Sequence, residues 1–127
     1  MTAILAAFLM VHGFLHLAIW LRHFASDTAK PAPFRPDHSA VLSAVHTPHQ
    51  VGHWISIILA LGAAWLYVSA GGLGALGMTG ATTLAGTAAL WGIALKVVFF
   101  HPWMTIGLVL DICVLLAAIS GWPLTFT

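Results

Sequence analysis

The chain predicts an all-α, polytopic membrane protein, a bundle of four transmembrane helices, on three observations. First, its 127 residues are 61% hydrophobic and only 6% charged, with a mean hydropathy of +1.01, whereas an average soluble domain is about 25% charged. Second, four apolar runs, Thr2–Leu21, Val51–Ala70, Ala81–Phe100 and Trp103–Trp122, each approach the roughly 20 residues a helix needs to cross a hydrocarbon core about 30 Å thick. Third, the last three runs are joined by short segments rich in Gly or Pro. Lipid offers no partners to the backbone, so each span must satisfy itself as a helix.

The expected spans cover 2–23, 48–70, 81–101 and 102–122, one domain over 1–127 with a loop at 24–47. Nothing basic precedes the first apolar run, and the run is longer than a typical signal core, so it reads as a span and not a cleaved leader. In the loop, Pro31, Pro33 and Pro36 favour extended or turn backbone. Beyond them His38–His46 reads as a short interfacial helix, with Asp37 as N-cap and Val41, Leu42 and Val45 as its apolar side. Span two starts with Thr47 as cap and Pro48 at the first helical position. Gly71, Gly72, Gly74, Gly77 and Gly80 predict the turn between spans two and three, and His101-Pro102 the tight turn between spans three and four. Thr82, Gly86 and Ala89, with Thr83 and Thr87 beside them, read as an internal packing face. Trp20, Trp54, Trp65, Trp103 and Trp122 fall near span ends as interface anchors, and Trp91 does not.

Charge sets the expected orientation. Arg22, Lys30 and Arg35 lie in or beside the first loop, Lys96 lies near the end of span three, and the opposite ends carry no Lys or Arg. The positive-inside rule places the loop and the third-to-fourth turn in the cytoplasm and both termini on the outer side. A net charge of +1 argues against nucleic acid or another polyanion as partner. Cys113 is the single cysteine, so no intramolecular disulfide forms.

Six of the eight histidines lie within or at the ends of these spans, as does Asp111. Ionisable groups inside a membrane are costly and mark functional sites. On a helix of about 100° per residue, His12, His16 and His23 share a face of span one, His49, His53 and Ser56 a face of span two, and Met104, Gly107 and Asp111 a face of span four. Depths taken from the rise of about 1.5 Å per residue place His16 and Asp111 level, His12 deeper, His53 and Lys96 shallower, and His46, His49 and His101 at the mouth. The pattern reads as a polar funnel from the cytoplasm. Imidazoles suit Fe, Cu, Zn or Ni, a carboxylate such as Asp111 is a usual acceptor for a ligand histidine, and histidines also serve as axial haem ligands. His12, His16, His53 and His101 are therefore candidate cofactor ligands, and the same four with His49 and Asp111 a candidate metal set. Plainer roles stand beside these: helix-to-helix hydrogen bonds for His12 and His16, an interfacial helix start for His49 and His53, a cap for His101, solvated positions for His23, His38 and His46, and snorkelling to the surface for Lys96 in preference to a salt bridge with Asp111.

Two segments carry a resemblance. Val11-His12-Gly13-Phe14-Leu15-His16-Leu17 and Phe100-His101-Pro102-Trp103-Met104-Thr105-Ile106-Gly107-Leu108-Val109-Leu110-Asp111 resemble a group of small bacterial four-helix membrane proteins with a His-Gly-x-x-His segment in helix one and a His-Pro-Trp…Gly…Asp segment at helix four. The resemblance implies a bacterial inner-membrane bundle and singles out His12, His16, His101 and Asp111; it implies no activity. A weaker similarity, to the histidine boxes of membrane di-iron desaturases, lacks their adjacent His-His pairs.

The function expected from the sequence is a His-rich intramembrane site holding haem b or a transition metal (Fe, Cu or Zn) for electron transfer, with the lipid bilayer and a membrane-protein partner or second copy around it. The alternatives are an accessory subunit with no cofactor of its own, and proton or metal-ion passage along the funnel.

Overall fold

A computed structural model describes residues 2–21 and 38–121. The elements are α1 (Thr2–Trp20), α2 (Ala40–Ala44), α3 (His49–Ala75), α4 (Ala81–Val98), a 3-10 turn at Pro102–Met104 and α5 (Thr105–Ser120), with no strand among the described residues. Four helical segments are long and apolar enough to cross a membrane: α1, α3, α4, and α5 with the 3-10 turn before it. Arg22, His23, Lys30, Arg35, Asp37 and Trp122 lie outside the described residues.

The boundaries differ from expectation where glycine or a cap was misread. Gly71, Gly72 and Gly74 are helical, and the turn is confined to Leu76–Gly80. Gly71 serves a crossing: a Cβ on it would lie 2.7 Å from the Ala6 carbonyl oxygen and from Met10 Cγ, so its bare backbone lets α1 pass close to α3. The turn proper needs Gly77 (φ 65°) and Gly80 (φ 91°), in the left-handed region that only glycine enters without penalty. Pro48 is the N-cap of α3, not its first residue. The short helix is capped by Ser39, whose Oγ accepts from Leu42 N at 3.1 Å and donates to the Val98 carbonyl at 2.5 Å. One hydroxyl thus satisfies a start of α2 and one of the orphan carbonyls at the end of α4. α2 ends at Ala44, and two residues on His46 is the one non-glycine residue with positive φ among those described (58°).

α1 packs on α3, α3 on α4, and α4 on α5, in chain order, with α2 against α4. The small-residue face of α4 is Ala81, Ala85, Ala88, Ala89 and Gly92. Gly86 stands against Ala118, and Thr83 and Thr87 point outward. Two apolar clusters form the interior. One joins Leu9, Tyr67, Ala70, Ala85, Ala88, Ala89 and Val114; the other joins Trp20, Ala60, Leu95, Phe99 and Met104. In register, His12 and His16 fall between Leu9 and Trp20, and Asp111 between Met104 and Val114. The polar residues therefore form a layer between two apolar ones.

Candidate functional site

That layer centres on one carboxylate. Asp111 is fully buried, and a buried charge is tolerated only when it is paired and hydrogen-bonded. Its Oδ1 accepts from His12 Nε2 at 2.7 Å and from the Tyr67 hydroxyl at 2.8 Å; its Oδ2 accepts from Lys96 Nζ at 2.6 Å. Lys96 Nζ also lies 2.7 Å from His16 Nε2, and His16 Nδ1 lies 2.9 Å from the His12 carbonyl oxygen. Each of the four long apolar helices contributes: His12 and His16 from α1, Tyr67 from α3, Lys96 from α4, Asp111 from α5.

The glycines make this layer possible. A Cβ on Gly92 would lie 2.5 Å from Asp111 Oδ2, one on Gly107 2.8 Å from Lys96 Cε, and one on Gly13 2.9 Å from Tyr67 Cβ. Each long or charged member thus lies against a neighbouring helix stripped of its side chain. Rings fill the remaining space. His12 meets Tyr67 edge-on with centroids 4.8 Å apart, and His16 lies near-parallel to Tyr67 at 5.6 Å and to Trp20 at 6.3 Å.

The bonds assign the protons. A carbonyl only accepts, so His16 carries its proton on Nδ1 and turns the lone pair of Nε2 to the Lys96 ammonium. A carboxylate only accepts, so His12 carries a proton on Nε2. The Asp111 carboxylate and the Lys96 ammonium, in contact at 2.6 Å, balance each other's charge. That is the cheapest way to place ionisable groups in an apolar bundle.

Three expectations are corrected here. Lys96 does not snorkel to the surface; it is buried and ion-paired with Asp111. The histidine level with Asp111, and bonded to it, is His12 and not His16. α1 ends at Trp20, so His12 lies about 12 Å from that end, level with Asp111 at about 13 Å from Pro102. Trp20 is no interface anchor, being only 3% exposed, while Trp54 and Trp103 are exposed. Trp65, also exposed, falls in the interior of the longer α3.

The remaining sequence candidates lie elsewhere. His12, His16 and Asp111 are the group of described residues with metal-ligand atoms within 4.8 Å of one another; His49, His53 and His101 are not in it. His49 is exposed at the start of α3, beside a shallow cleft lined by Ser39 and Leu42. His53 meets Trp54 edge-on at 6.1 Å. His101 caps the 3-10 turn, its Nδ1 accepting from Trp103 N at 3.3 Å. Sequence reasoning missed Tyr67. It is the only tyrosine in the chain and lies inside an apolar run, where a hydroxyl needs a partner.

His12 and His16 lie on adjacent turns of one helix, with their Nε2 atoms engaged by Asp111 and Lys96. A metal ion does fit the donor chemistry of His12, His16 and Asp111, in competition with the ammonium that already bridges His16 and Asp111. Comparison with protein-family models, with curated proteins and with solved structures finds no match to this chain.

Proposed function

We propose that this chain is an integral membrane protein whose Asp111-centred layer takes up and passes a proton inside the bilayer. The observation that carries the proposal is the continuous run of exchangeable groups, Tyr67–Asp111–His12 and Asp111–Lys96–His16, each joined at 2.6–2.8 Å. Chains of carboxylate and histidine within spans mark proton relays. Lys96 pairs with the central carboxylate, and His16 offers the ammonium an acceptor for its proton. The resemblance supports a bacterial inner membrane. The basic residues Arg22, Lys30 and Arg35 support a cytoplasmic loop with both termini outside; Lys96, neutralised by Asp111, adds nothing to that assignment.

Proteoliposomes with a trapped pH dye test the reading. The intact chain raises the rate of proton equilibration above that of empty vesicles, and Asp111→Asn returns it to the empty-vesicle rate while Thr87→Val leaves it unchanged. Equal rates for the intact chain and Asp111→Asn, both inserted and folded, would discard the relay.

A second reading is a transition-metal site for redox chemistry at His12, His16 and Asp111, favoured by their ligand atoms lying within 4.8 Å of one another. It requires the ammonium to swing away. Lys96→Met would then raise zinc or copper content per chain, whereas unchanged content argues for the relay.

A further inference from the structure

α1 and α5 are the two ends of the packing row, and beside the polar layer they do not close completely. A cleft of about 180 Å³ opens between them, with an exposed lining almost wholly apolar. Leu15 and Ile19 of α1 and Ile106 of α5 form its lips, each more than a third exposed on the outer surface of the bundle. In a bilayer that mouth faces acyl chains, so an occupant arrives from the membrane and must be lipophilic.

Two residues of that lining carry buried donors with acceptors missing. Lys96 and Trp20 both line the cleft. The Lys96 ammonium has three N–H groups, of which Asp111 and His16 take two. Trp20 Nε1 is the one buried side-chain nitrogen or oxygen among the described residues with no hydrogen-bond partner, and such an orphan calls for an explanation. A ligand must therefore bring an acceptor. It must also be neutral, because the layer is already balanced and a second carboxylate beside Asp111 would repel it.

The geometry points to a binding site for a small, neutral, lipophilic carbonyl compound in the cleft between α1 and α5, its oxygen accepting from Lys96 and its hydrocarbon body lying against Leu15, Ile19, Ile106 and Leu110. The proposal extends the relay reading by naming what meets the polar layer. Its test measures binding alone, so it fails or succeeds apart from proton flux.

The probe is radiolabelled fluorenone, and the competitor is fluorene, the same carbon skeleton without the oxygen. The full chain in phosphatidylcholine nanodiscs binds fluorenone saturably, at about one per chain after subtraction of empty nanodiscs, and fluorene competes at least about tenfold less well, the equivalent of about 1.4 kcal/mol. Ile106→Trp, a change at an exposed lip, fills the cleft and removes saturable binding. Lys96→Met abolishes the preference for the ketone. Absence of saturable binding, equal competition by fluorene, or full binding by a folded Ile106→Trp protein would each overturn the site; equal competition would mark the cleft as a seat for lipid acyl chains.

Discussion

Two groups of histidines occupy this molecule, and they obey different rules. His12 and His16 are buried one turn apart on α1, locked to Asp111 and Lys96, and packed among Tyr67 and Trp20. His38, His46 and His49 are exposed near the short helix and the start of α3, and His53 and His101 are half-buried at helix ends. In sequence the two groups look alike, as imidazoles at helical spacing near span ends. The difference lies in what the neighbouring helices offer. Around the deep pair, Gly13, Gly92 and Gly107 clear space for a phenol, a carboxylate and an ammonium, whereas the outer group meets caps, turns and aromatic edges. A histidine becomes part of a site here when another helix delivers a charged group to it.

The sharpest way to break that contrast is to strip the charge from the deep group. Lys96→Met leaves Asp111 buried without its cation and should lower stability by about 3–5 kcal/mol, read from unfolding in mixed detergent micelles. Asp111→Leu alone strands Lys96 and should cost a similar amount. The double variant should be more stable than either single one, because a buried pair replaced by apolar groups of similar size is often neutral. Additive losses would show that the two charges do not depend on each other.

Much of this was legible in the sequence, and the misses share a cause. Hydropathy and length find all four helices long and apolar enough to cross a membrane, because a bilayer core sets a minimum length for a span. Asp111, His12 and His16 stand out because ionisable groups are rare in such runs. Their pairing was not legible, since it depends on where α1 stops: an end at Trp20 in place of residue 23 raises His12 to the level of Asp111. Lys96 was misplaced because depth was assigned from the Cα. Its position is only two residues from the end of α4, but its aliphatic stem runs past Gly107 to the carboxylate. Gly71 looked like part of a turn because glycine marks both turns and close helix crossings, and only the partner helix distinguishes them.

Smaller effects sharpen the comparison. Tyr67→Phe removes one of three donors to Asp111 and should cost about 1 kcal/mol, in the range of hydrogen bonds between membrane helices, with the fold retained by circular dichroism. His49→Ala and His53→Ala should each change stability by no more than about 0.5 kcal/mol and leave proton equilibration in vesicles unaltered. An effect from either as large as that of Lys96→Met would erase the distinction between the two groups.

The central claim is the proton arrangement around Asp111, and nitrogen NMR of ¹⁵N-histidine-labelled protein in lipid bilayers reads it directly. Assigned through His12→Gln and His16→Gln, the His16 signal should be that of a neutral ring with its proton on Nδ1, and His12 should carry its proton on Nε2. A His16 ring protonated on Nε2 would contradict the account, because it could not accept from Lys96.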